Sequence, residues 1–227
     1  MEKKQTISTK KLVLTALLAA LTVVGSALRI TLPLEVAGTT SFHLGNIMCA
    51  LSGILLGPWL GGLAAGLGSA IYDMTTPLYI SECWITFLTK ACYGLAAGFV
   101  IRSGKQPWSY VKAAVATLAG AVAYAALYLA KSYFYSGLLI KGLTPEAAGL
   151  LVIGKLPATV FNAVVAIIFA PILAVAIRKA LEKNHLFLFT DSAKTEPAKE
   201  SAPAQETLPE PEADAEEPKA EETGSNA

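Results

Sequence analysis

The feature that most constrains this chain is its series of long apolar runs. A bilayer core about 30 Å thick takes roughly 20 apolar residues per helix. Four runs are of about that length or longer: Leu12–Leu34, Trp84–Ile101, Tyr110–Phe134 and Leu150–Ile177. Lipid offers a backbone amide no partner, so each span must bond its own backbone internally. The expectation is an all-α integral membrane protein. A fifth run, 45–72, is long for one span: it would extend about 42 Å at 1.5 Å per residue. Gly57-Pro58 in its middle is turn chemistry and divides it into a hairpin of two short helices.

Charge supports the hairpin, because cytoplasmic flanks collect Lys and Arg. With it there are six spans and both termini are inside. The inner ends then carry Lys3, Lys4, Lys10, Lys11, Arg102, Lys105, Lys112, Arg178, Lys179 and Lys183. The outer ends carry Arg29, Lys131, Lys141 and Lys155. A single span at 45–72 would move six of those inner charges outside. The chain therefore reads as a six-transmembrane-helix bundle in the cell membrane with both termini cytoplasmic. A basic N-terminus covers 1–10, the membrane domain 11–183 and a tail 190–227.

The net charge of +1 conceals two opposite parts. Beyond Phe189 the tail has eleven acids and three lysines, a net −8, and the rest of the chain is at +9. This Pro-, Ala- and Glu-rich tail holds too few large apolar residues to offset ordering entropy, so disorder is expected. With 54% hydrophobic and 15% charged residues overall, against roughly 45–50% and 25% in soluble domains, a soluble enzyme, a disulfide-rich secreted domain and a basic nucleic-acid binder are excluded. The first apolar run is too long for a signal-peptide core. Cys49, Cys83 and Cys92 have spacings that fit no metal or disulfide framework.

Catalytic motifs are missing. Gly149-Leu-Leu-Val-Ile-Gly154-Lys155 resembles a phosphate-binding loop, but Leu156 stands where the magnesium-binding hydroxyl belongs, and no strand precedes it. No hydrolase or metal constellation is present. Neither catalysis, a metal nor a cofactor is expected, and the chain has no motor of its own.

Small residues four apart allow close helix contact in lipid. They occur as Gly62, Gly66 and Ala70, as Gly61, Ala65 and Ser69, and as Gly94 and Gly98. The polar residues are more informative, because ionisable groups within spans usually face a bundle interior or a cavity. Following the topology, His43, Asn46, Asp73, Glu82, Trp84, Lys90, Tyr128, Lys131, Lys155 and Asn162 all fall in the outer half of the membrane. Acids, bases, amides and aromatics converging from several spans are the makeup of a small-molecule pocket. The same aromatics suit an interfacial belt, and Arg29, Lys131 and Lys141 suit snorkelling to headgroups. Lys90 suits either a ligand or a structural pairing with Asp73 or Glu82.

Three runs together resemble a known family: Phe42-His-Leu-Gly-Asn-Ile, the stretch from Leu51 through Leu-Gly-Pro-Trp to Gly-Leu-Gly-Ser-Ala-Ile-Tyr-Asp73, and Trp84 through Lys90 to Gly98. Over residues 10–180 the chain is similar to the substrate-binding S component of energy-coupling factor (ECF) vitamin transporters. The resemblance implies a six-helix protein that captures a vitamin or related small molecule from outside. It also implies partners, a membrane T component and two cytoplasmic ATPases, which would supply the missing motor. The family's first helix docks on the T component through an Ala-x-x-x-Ala face, matched here by Ala16 and Ala20. Family ligands are covered by the loops after spans one, three and five, which correspond to 34–43, 74–83 and 136–147. A stand-alone secondary transporter, with Asp73 or Glu82 at a coupling-ion site, and a ligand-free accessory membrane protein are the alternatives.

Overall fold

The first apolar run does not stay helical to its end. In the computed structural model, which describes residues 9–34, 38–104 and 108–183, helix α1 covers Thr9–Ala27 and strand β1 covers Arg29–Leu34. The expected span to Leu34 is thus too long. Ile30 and Thr31 are β-branched and favour extended backbone, and Pro33 has no N–H to donate within a helix. β1 pairs antiparallel with β2 (Gly38–His43), Thr31 opposite Ser41 and Arg29 opposite His43.

Helix α2 (Gly45–Leu56) follows, then α3 (Pro58–Met74). They part at Gly57, whose φ of 78° lies in the left-handed region that glycine tolerates. Pro58 opens α3, where its missing N–H costs nothing. Arg102 donates from Nη2 to the terminal carbonyl of Leu56 at 3.0 Å, so a charged side chain closes the end of α2. α2 is buried along almost its entire length, as expected of a helix apolar on every side. At about 18 Å it is too short to cross a bilayer alone.

A 3₁₀ turn (Ile80–Glu82) leads into α4 (Cys83–Arg102), followed by α5 (Tyr110–Lys131). α5 runs on as a π-helical segment, Ser132–Ile140. The irregular loop before α6 (Pro145–Lys183) is therefore shorter than the expected 136–147. Among the described residues there are six α-helices. The stretches Thr9–Ala27, Ile80–Arg102, Tyr110–Ile140 and Pro145–Leu181 are long and apolar enough to cross a membrane. The N-terminal residues 1–8, Lys105 and the acidic tail lie outside the described residues.

The small residues act at helix crossings. A Cβ on Gly94 of α4 would stand 2.7 Å from the Gly61 carbonyl oxygen and 2.8 Å from the Gly62 Cα of α3, so the two backbones are in direct contact. Alanines pack likewise: Ala50, Ala64, Ala65, Ala97, Ala113 and Ala116 have no exposed surface. By contrast, Leu12, Val13, Leu17, Val24, Val122 and Ile168 are exposed, the pattern of a bundle whose outer surface is solvated by lipid.

At the end of the bundle with the Gly57 turn, Arg178 lies 4.8 Å from the Trp108 ring centroid. At the opposite end the β-hairpin, the 75–82 segment and the π-helical segment come together.

Candidate functional site

Beneath the hairpin lies a cavity of about 290 Å³. Its walls mix apolar surface with many polar groups, and hydroxyl-bearing residues are frequent: Ser26, Thr40, Ser41, Ser69, Thr86 and Thr159 are among them. Of the residues singled out in the sequence, His43, Asp73, Glu82, Lys90, Tyr128, Lys131, Lys155 and Asn162 line this one space. Asn46 does not line it but stands behind Lys90, accepting a hydrogen bond at Oδ1 from the Lys90 ammonium. Trp84 lies apart: it is half exposed and meets Tyr135 edge-on, centroids 5.7 Å apart.

The roof is tied to the walls by side chains. Asn162 on α6 accepts the His43 N–H at Oδ1 (3.0 Å) and donates from Nδ2 to the Ser41 carbonyl (2.8 Å). Ser41 and His43 are two apart on one strand, so these backbone groups share an edge. The Asn162 amide pairs that edge as a neighbouring strand would. Phe42 adds an edge-on contact with Phe161 at 4.9 Å. The Ser41 hydroxyl lies 3.4 Å from the Tyr79 hydroxyl, linking the hairpin to the 75–82 segment.

Glu82 closes the opposite side. Its Oε2 pairs with the Lys131 ammonium, and its Oε1 accepts the Ser136 hydroxyl at 2.8 Å. Ser136 and Ser132 both point inward from the π-helical segment and are buried. The wider π turn changes which side chains face inward, and such turns recur at functional sites. His43 Nδ1 accepts the Gly45 N–H at 3.2 Å. Burial, reinforced by the positive charges of Lys90 and Arg29, holds its imidazole well below the ordinary histidine pKa. It is neutral, and Nε2 carries the proton.

An aromatic pair forms the inner wall. Tyr124 and Tyr128, one turn apart on α5, stack with centroids 5.5 Å apart and planes 22° from parallel. The Lys90 ammonium lies 3.9 Å from the Tyr124 centroid and that of Lys155 5.2 Å from Tyr128. Arg29 lies over Tyr72 at 4.2 Å and donates to the Ser26 carbonyl at 2.8 Å. Tyr124 was not singled out in the sequence. Its signal is the spacing Tyr124, Tyr128, Lys131, which puts three polar-tipped residues on one face of α5. Tyr79 and Ser41 had no such signal, because they reach the cavity from irregular or strand segments.

Ala16 and Ala20 lie elsewhere, on an exposed face of α1 shared with Leu12, Val13 and Leu17.

Comparison with known proteins supplies the family. A family model described as "ECF-type riboflavin transporter, S component" matches residues 6–179. The chain belongs to that S-component family. It is accordingly a multi-pass membrane protein, and its apolar spans are those of such a protein. The S component is also similar to an uncharacterized protein of Pyrococcus woesei, 30% identical over 118 residues, which cover 52% of this chain and 74% of that protein.

Proposed function

We propose that this S component captures a vitamin or related small molecule in the cavity and hands it to partners that hydrolyse ATP. The observation that carries the reading is a cavity lined by many polar residues at one end of an apolar bundle, partly covered by segments from three parts of the chain. A polar space buried among spans is costly unless it serves a ligand. The roof end faces outside in this reading, and both termini face the cytoplasm. The support is charge: Arg102, Lys112, Arg178, Lys179 and Lys183 belong to the opposite end.

The division of labour follows from what the chain has. It binds but carries no phosphate-binding loop of its own, so ATP hydrolysis belongs to two cytoplasmic ATPases coupled through a membrane T component. The exposed face of α1 around Ala16 and Ala20 is the docking surface, since small residues one turn apart let another helix approach closely. Ligand release then requires the hairpin and the 75–82 segment to part, breaking the Asn162 and Glu82 ties.

Purifying the tagged chain in mild detergent, with and without co-expressed partners, tests this. The expected result is a stoichiometric small molecule on the isolated chain and recovery of the T component and both ATPases on co-expression. A chain that retains no small molecule and recovers no partner refutes it.

A further inference from the structure

Among the described residues, two ammonium groups in the cavity have no carboxylate in ion-pair contact. Lys90 and Lys155 are 5% and 8% exposed, and both line the cavity. Lys90 donates to the neutral Asn46 amide and lies over Tyr124. Lys155 donates to the Ser132 hydroxyl at 3.1 Å and lies over Tyr128. Among the described residues neither has a carboxylate within 4 Å; Glu82 is engaged by Lys131, and Asp73 has no cation that close. Leaving Lys141 aside, the lining holds Arg29, Lys90, Lys131 and Lys155 against Asp73 and Glu82, an excess of two positive charges. A buried charge needs an opposite charge as well as hydrogen bonds. Amide, hydroxyl and ring face supply the hydrogen bonds and partial charge, and leave the full charge open.

We infer that the ligand of this cavity is a small oxygen-rich anion, a carboxylate or phosphate monoester, whose acidic group is held by Lys90 or Lys155. The inference rests on the capture reading above and narrows it. Riboflavin, the compound in the family's description, is neutral at neutral pH and would give neither ammonium group an ion-pair partner. Elsewhere the cavity suits the remainder of such a ligand. The stacked Tyr124–Tyr128 pair offers an aromatic surface, and the Ser and Thr hydroxyls match hydroxyl or carbonyl oxygens. The carboxylates of Asp73 and Glu82 accept donors.

The test uses the full chain in mild detergent. The retained small molecule is released by denaturation, identified by mass spectrometry and its charge at pH 7 read by ion-exchange chromatography. Calorimetry then compares three matched pairs, nicotinate with nicotinamide, pantothenate with panthenol, and riboflavin 5′-phosphate with riboflavin. The first two pairs report a carboxylate and the third a phosphate. We expect a retained anion. Where a pair binds, the acid should be favoured roughly 10- to 150-fold, the loss typical of one charge-assisted hydrogen bond. K90M or K155M should abolish that preference, and K90R or K155R should restore part of it in protein that elutes as wild type does. A neutral or cationic retained molecule overturns the inference while leaving capture standing, as does an acid preference that survives both Met substitutions. If nothing is retained and no probe binds, capture itself fails and the inference with it.

Discussion

Replacing Asn162 by Leu should loosen the roof of the cavity without unfolding the bundle. Leucine keeps the side chain's approximate shape and removes both hydrogen bonds to the β2 edge, to the His43 N–H at 3.0 Å and the Ser41 carbonyl at 2.8 Å. A buried backbone group left unpaired costs about 1–3 kcal/mol. The hairpin is partly exposed, so the lower figure applies to each group and the roof loses about 2 kcal/mol. That is roughly 30-fold in the equilibrium between closed and open roof, at about 1.4 kcal/mol per decade. The Phe42–Phe161 contact remains, so the strand stays near its place. Amide exchange of residues 38–43 should speed up by about that factor, and the co-purified small molecule should dissociate up to 30-fold faster. Exchange in α2 and α4 should not change. Unaltered exchange in 38–43 together with unaltered dissociation would refute the claim that Asn162 pins the roof.

Three further outcomes are expected. Replacing Ala16 and Ala20 by Trp should abolish uptake and leave the small molecule bound to the isolated chain, measured by transport and by mass spectrometry; loss of both would make α1 a core element. In a cysteine-free background, an impermeant thiol reagent added outside should label a cysteine at 140 and miss one at 104, and the reverse labelling contradicts the proposed topology. The Tyr93 hydroxyl is buried without a hydrogen-bond partner among the described residues, so Tyr93→Phe should leave thermal stability unchanged or raised, by about 1 kcal/mol at most; a clear loss of stability would mean that the hydroxyl is satisfied.

The apolar runs and the Gly57-Pro58 break were readable because lipid imposes length and turn chemistry imposes conformation. Both signals are local in sequence. The hairpin was not readable, because Arg29–Leu34 continues the apolar character of α1, and only the β-branched pair and Pro33 argue against helix. The π-helical segment had no signal either: its geometry shows in how Ser132 and Ser136 meet Lys155 and Glu82 across the cavity. Depth along a span gathers most of the polar residues at one end of the bundle, yet depth does not say what each one touches. Asn162 illustrates the difference. The sequence suggests a ligand anchor; in the structure it lines the cavity and its amide also bonds the backbone of β2 at both ends. Lys131 likewise is engaged by Glu82, while Lys90 and Lys155 meet neutral partners. Partner identity depends on the packing of three helices and a hairpin, which no single-residue pattern encodes.

In the proposed function this chain captures its ligand and partner ATPases power uptake. The most direct measurement is accumulation of the co-purifying compound, isotopically labelled, in cells expressing the chain with its T component and two ATPases. It is compared with cells in which the phosphate-loop lysine of both ATPases is substituted. Accumulation should fall to background in the substituted cells while the chain still binds the compound. Accumulation that persists with inactive ATPases and collapses when the proton gradient is dissipated would contradict it.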